Sequence, residues 1–234
     1  MKDEPRLGPT GTERPAEALD AGGHKGAPRK VLLLTNTLDE SPNGGRELLC
    51  KLNYESLDDL YGDALVLFEL KQASPANLKE LYLSFRGYID GLSPAVIAEL
   101  LDTIRKQGVG TVFIDGSNLG KAAKCIRKAF PEIKIVTFFH NVETVFFWGG
   151  FLQNRSLRAL AVCLINFIAE RKSVRFSDRL ICLSDRDSAM LMKVHGRAAT
   201  DISAIALKDS LRQDSVRPPM PGSERYALFV GGVF

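Results

Sequence analysis

Six short apolar runs alternate with stretches of helical periodicity, and that alternation constrains the chain more than any other feature. The runs are VLLLTN after Lys30, Ala64–Leu70, Thr111–Ile114, Ile133–Phe139, Arg179–Leu183 and a weaker one at Ile202–Ala206. Apolar runs this short, bounded by turn residues, read as strands buried on both faces. Between them, Arg46–Leu60 carries Leu48, Leu49, Leu52, Leu57 and Leu60, a spacing that predicts a helix with one buried leucine face. Further helices are predicted at Leu78–Tyr88, after the Ser93–Pro94 cap up to Gly108 and Gly110, at Leu119–Ala129, at Ser156–Val174 and, capped by Ser184, at Asp185–His195. Strands alternating with helices imply βαβ units with right-handed crossovers. The expected class is therefore α/β, with a Rossmann-like, mainly parallel sheet and helices on both faces.

The rest of the chain sets the domain plan. Residues 1–28 are rich in Gly, Pro, Ala and charge and lack periodic hydrophobics, so they are expected to be a disordered tail without a signal-peptide core. Residues 29–212 are expected to form the Rossmann-like domain and residues 213–224, rich in Pro and charge, a linker. Residues 225–234, YALFVGGVF at their core, read as the first strand and turn of a second domain. The longest apolar run, Ala159–Ala169, is far short of the roughly twenty residues that span a bilayer. A net charge of +3 with dispersed Lys and Arg does not indicate a nucleic-acid partner. Cys50, Cys125, Cys163 and Cys182 are far apart and mostly in apolar segments, which suits buried free thiols in a reducing, cytoplasmic compartment.

Candidate functional groups gather at strand ends. In KIVTFFHNVE, Lys134–Glu143, the buried-type run stops at Phe139 and gives way to His140, Asn141 and Glu143. The carboxyl ends of parallel strands face the crevice in which ligands bind, so these three are placed for chemistry or recognition. A histidine there can bond a ligand hydroxyl or pass a proton near neutral pH. Asp115 and Ser117 follow another strand, where Asp-Gly is also ordinary turn chemistry. Gly44 and Gly45 open the first helix, where backbone N–H groups can meet an anion and no Cβ stands in the way. Asn36–Gly45 contains no G-x-G-x-x-G, which argues against a dinucleotide oxidoreductase. No metal cluster is evident in the spacing.

Four pieces together carry a family resemblance: VLLLTNTLDESPNGGRE, GTVFIDGSNLGKAAKCIRKAFPEIKIVTFFHNVE, SDRLICLSDRDSAMLMKVHG and the terminal LFVGGVF. In this order they resemble the amino-terminal domain of GT-B glycosyltransferases of the family 4 type, such as those of bacterial surface-polysaccharide synthesis. The resemblance implies an acceptor-side lobe that works opposite a nucleotide-sugar lobe, with transfer to a glycan or lipid-linked acceptor. It implies no cofactor or metal, the nucleotide sugar being a substrate. His140 would be the catalytic residue, Gly44 and Gly45 would hold the donor phosphates, and Asn141, Glu143, Asp115 and Ser117 would bind the acceptor. Family members are generally retaining, so Glu143 need not be a base; in an inverting enzyme Glu143 or His140 would be the base.

The donor lobe's carboxylate pair is not found in this sequence, so the chain is expected to be incomplete and inactive alone. The alternative is a non-catalytic glycan- or lipid-binding module built on a transferase half. Phe146, Phe147, Trp148 and Phe151 are expected in an aromatic turn around Gly149 and Gly150, followed by Arg155 and Arg158, a composition compatible with peripheral membrane contact.

Overall fold

The computed structural model describes residues 29–42, 44–71 and 78–205. Six parallel strands form one sheet in the order β2-β1-β3-β4-β5-β6: β1 (Lys30–Asn36), β2 (Leu65–Leu70), β3 (Val109–Asp115), β4 (Lys134–Phe139), β5 (Arg179–Cys182) and β6 (Asp201–Ile202). Among the described residues seven α-helices accompany it: α1 (Gly45–Tyr61), α2 (Leu78–Phe85), α3 (Pro94–Gln107), α4 (Gly120–Ala129), α5 (Glu143–Asn154), α6 (Leu157–Phe176) and α7 (Asp185–His195). The fold is thus α/β and Rossmann-like, and its sheet is wholly parallel rather than mainly so. The expected tail, the linker and the strand at 225–234 lie outside the described residues.

Connectivity explains the two-sided cover. The chain steps from β1 outward to β2, then returns past β1 to β3 and continues outward to β6. Right-handed crossovers in opposite directions place α1 on one face and the later crossover helices on the other. Leu32, Leu34, Val112, Ile114 and Ile135 pack with Ile97, Leu100 and Ile104 of α3 and Ala122, Ala123 and Ile126 of α4. Further along the sheet, Phe139, Leu180 and Cys182 meet Val174 of α6 and Leu191 of α7. The reversal of strand order falls between β1 and β3, and their carboxyl ends frame the crevice that open α/β sheets use for ligands.

Local chemistry sets the helix ends. Ser93, Ser156 and Ser184 each accept a hydrogen bond from the amide three residues on, at 3.2, 3.1 and 3.2 Å, and Pro94 occupies the first helical position of α3. Gly108 ends α3 at φ +65°, whereas Gly110 lies inside β3 rather than in the helix stop.

Two further expectations are corrected. The run Phe146–Phe151 is helical, in α5, and not a turn: Gly149 and Gly150 sit in the middle of the helix, where each weakens it by about 1 kcal/mol relative to alanine. The four leucines assigned with Leu49 to the inner face of α1 are not equivalent to it, since only Leu49 and Cys50 are buried and Leu60 is 75% exposed.

The tightest helix packing is at Gly120. A Cβ there would lie 2.1 Å from the Ala169 carbonyl oxygen and 2.4 Å from the Ser173 nitrogen, both main-chain atoms of α6. Gly120→Ala is therefore expected to force α4 from α6 and destabilise the protein by about 1–3 kcal/mol, the usual cost of overpacking. Urea unfolding measures it, and an unchanged midpoint would contradict this packing.

Candidate functional site

Helix α1 brings polar rather than apolar groups to the crevice. Arg46, Cys50 and Asn53, spaced four and three apart, share one helical face turned toward the ends of β1 and β3. Their focus is Asp115, the last residue of β3, which is fully buried. Its carboxylate accepts from the Thr35 hydroxyl at 2.9 Å, the Asn53 amide at 2.8 Å and His140 Nε2 at 2.7 Å. Burial works to raise its pKa, but these hydrogen bonds and the nearby imidazole hold it below the usual carboxylate range. The Cys50 thiol also bonds Asp115, and burial together with the carboxylate's charge pushes its pKa up to about 12. It stays a neutral donor and is not a nucleophile.

His140 follows directly from β4, with its side chain 6% exposed. A carboxylate only accepts, so Nε2 carries the proton toward Asp115, and in the neutral ring Nδ1 is left as an acceptor. Phe138 meets the ring edge-on at 5.6 Å between centroids and limits its rotation. Cys50, Asp115 and His140 also have ligand-type atoms within 4.8 Å of one another, a convergence that sequence spacing did not reveal. As built, the three are joined by hydrogen bonds to a carboxylate that Thr35 and Asn53 also fill.

Two clefts open beside this group. The larger, about 710 Å³, has polar groups Arg46, Asp90, Asn118 and Glu143 at one end and an apolar wall that includes Leu81, Phe147, Val162 and Ile165. The smaller, about 550 Å³, lies between the end of β1 and the first turns of α1, with Asn36, Asp39, Arg46 and Cys50 among its lining. Arg46 borders both. It bonds Asp90 at 2.6 Å, and Asn118 donates to the same carboxylate oxygen. Asp90 holds a left-handed φ of +50°, unusual for a residue with a side chain and often found at ligand sites.

A second buried carboxylate, Glu170 of α6, frames the other side. It accepts from the backbone amides of Glu143 and Thr144 at 2.9 and 3.2 Å, from the Thr144 and Ser117 hydroxyls at 2.5 and 3.1 Å, and from His195 Nε2 at 2.8 Å. It thereby caps α5, whose preceding residue Val142 offers no side-chain cap. Glu143 is carried to the rim of the larger cleft. Burial, and after it the opposing pull of Arg46 and the like charges of Glu170 and Asp90, leaves its pKa at about 7.

Of the residues singled out in the sequence, Glu143 lines the larger cleft, whereas His140 and Asn141 follow the end of β4 and line neither cleft. Asp115 and Ser117 line neither cleft: both are buried, one behind His140 and the other against Glu170. Gly44 and Gly45 stand at the uncapped start of α1, where a Cβ on either would meet nothing within 4 Å. Packing does not require glycine there. Sequence reasoning missed Arg46's pairing with Asp90, and missed Asn36, Cys50, Asn53, Asn118 and Glu170. The i, i+4, i+7 polar stripe of α1 was the available signal for three of them.

No protein-family model matches the chain, and no curated protein matches it. Among solved structures it is similar to Phytolacca americana UGT2 complexed with UDP-2-fluoro-glucose and pterostilbene, at 10% identity and TM-score 0.40 over 70% of this chain and 51% of that one. It is also similar to the Candida albicans trehalose-6-phosphate phosphatase N-terminal domain, at 13% identity and TM-score 0.35 over 75% of this chain and 44% of that one. The chain thus spans about half the length of each. Both are distant likenesses of fold and assign no family. Among the described residues no helix is long and apolar enough to cross a membrane.

The Glu143 geometry gives a pH dependence. Folded protein keeps this proton up to about pH 7, whereas the unfolded chain loses it near 4.5, so stability falls as pH rises between those values. Glu143→Gln removes the penalty and is expected to stabilise the protein by on the order of 2 kcal/mol at pH 8, with the gain fading toward pH 5. Thermal unfolding of both proteins from pH 5 to 8 checks this, and a gain independent of pH would contradict it.

Proposed function

We propose that this chain is the acceptor-side lobe of a GT-B-type glycosyltransferase that moves a sugar from a nucleotide sugar to a glycan or lipid-linked acceptor in cell-surface polysaccharide synthesis. One observation carries the reading beyond the sequence resemblance: the uncapped start of α1 and the carboxyl ends of β3 and β4 converge on one mouth through Arg46, Cys50, Asp115 and His140. Transfer from a nucleotide diphosphate needs donors for the leaving phosphate beside a group that contacts the sugar, and this mouth supplies both kinds.

In this reading the amides of Gly44 and Gly45 meet the donor phosphates at the lip. His140 is the catalytic residue, with Nδ1 turned to a sugar hydroxyl while Asp115 fixes the ring through Nε2. Asn141 and Glu143 bind the acceptor directly. Asp115 and Ser117 support that surface from behind, Asp115 through His140 and Ser117 through Glu170. With a proton affinity poised near neutrality, Glu143 can accept or give a hydrogen bond to an acceptor hydroxyl. No step requires a bound cofactor.

The second reading is a binding module without turnover, and activity separates the two. Fused to a nucleotide-sugar-binding lobe, the chain is expected to transfer sugar, and His140→Ala is expected to lower kcat by about 10²–10⁴-fold, the range for a positioned proton-handling group. Unchanged kcat in that variant would remove His140 from the chemistry, and binding of glycan without transfer in the fused protein would favour the module.

A further inference from the structure

Buried polar atoms that find no partner within the protein are completed by water or by a ligand, because leaving one unpaired costs about 1–3 kcal/mol, and where they line a cleft their donor and acceptor pattern describes what fits it. Among the described residues six such atoms occur: Asn36 Nδ2 and Oδ1, Arg46 Nε, Asn118 Oδ1, Asn141 Oδ1 and His195 Nδ1. The last belongs to a ring stacked on Phe167 and bonded to Glu170. Four of the other five belong to residues that line the clefts: Asn36, 5% exposed, ends β1 and lines the smaller; Asn118, 4% exposed, lines the larger; Arg46 lines both; Asn141, after His140, lines neither.

Their chemistry selects the ligand. Asn118 donates its Nδ2 to Asp90, which can only accept, so its Oδ1 is the end left to receive a hydrogen bond. Asn36 needs both a donor and an acceptor whichever way its amide is turned. Two of the four cleft atoms, Asn36 Oδ1 and Asn118 Oδ1, are acceptors, and a diphosphate, itself almost wholly an acceptor, would leave them unpaired. Charge points the same way: Asp39 and Glu40 border the smaller cleft and Asp90 and Glu143 the larger, against the guanidiniums of Arg46 and Arg158. A hydroxyl both donates and accepts and carries no charge.

We infer that the two clefts hold an uncharged, hydroxyl-rich moiety, a neutral sugar, and that Asn36 and Asn118 determine its specificity. The inference rests on the acceptor-lobe reading and sharpens it: the recognised unit is a neutral glycosyl group, and phosphate contact is confined to the backbone at the lip of α1. A consequence follows for stability. Asn36 is a liability until sugar arrives, so an apolar side chain of similar volume there does not weaken the unliganded protein.

The test uses the full chain with methyl glycosides of several neutral hexoses and hexose disaccharides, and with inorganic pyrophosphate, followed by saturation-transfer NMR. Saturation transfer to at least one neutral glycoside is expected, with affinity at least tenfold lower in Asn36→Leu and in Asn118→Ala, while the unliganded Asn36→Leu protein melts no lower than the parent. Asn36→Ala stands in if Asn36→Leu does not fold. Binding of pyrophosphate alone, binding of no neutral glycoside, or affinity unchanged by both substitutions overturns the inference. Failure of the transferase reading looks different: neutral glycoside binds through these asparagines, yet the chain fused to a nucleotide-sugar-binding lobe transfers nothing.

Discussion

One buried carboxylate organises the site. Asp115 lies at the end of a central strand with no solvent contact, and an ionised group there survives only if its oxygens are filled by donors. Those donors come from Thr35 on β1, Asn53 and Cys50 on α1 and His140 after β4. Satisfying one charge therefore fixes α1 against the sheet, sets the direction of its amino end and orients an imidazole at the crevice. Breaking such a buried cluster by removing one partner typically costs 3–5 kcal/mol, much more than an exposed ion pair contributes.

Glu170 plays the matching part on the far side of the larger cleft. A carboxylate from the middle of α6 caps α5, takes the Ser117 hydroxyl and holds His195 at the end of α7. Three helices and the turn after β3 are thereby held by a single group. Between the two hubs, Arg46 and Asn118 each keep one buried polar atom unpaired and line the larger cleft with Asp90 and Glu143. A rigid frame around an underpaired interior is what a ligand site requires, since order established before binding reduces the entropy lost on binding.

The fold was legible because its signals are local. Short runs such as KIVTFF, bounded by turn residues, read as central strands, and Ser93-Pro94 and Ser184 announced their helices by capping chemistry that needs no tertiary context. Part of the candidate site was legible for the same reason: His140, Asn141 and Glu143 break an apolar run abruptly, and of them Glu143 lines the larger cleft and His140 bonds Asp115. What escaped depends on contacts distant in sequence. Asn53 meets Asp115 across 62 residues, Arg46 meets Asp90 across 44 and Ser117 meets Glu170 across 53. Glu170 lay inside a helix that read as apolar, and in α1 a count of leucines outweighed the quieter stripe of Arg46, Cys50 and Asn53. Gly149 and Gly150 suggested a turn by composition, but capping by Glu170 and packing against α6 outweigh two glycine penalties.

The account stands on Asp115 holding His140 in one tautomer, with Nδ1 free for the ligand. Nitrogen-15 NMR of the histidine side chains at pH 8 reads this directly. A His140 spectrum with protonated Nε2 and a bare Nδ1, lost in Asp115→Ala, is the predicted result. A ring protonated at Nδ1, or one averaging between tautomers in the intact protein, would contradict it.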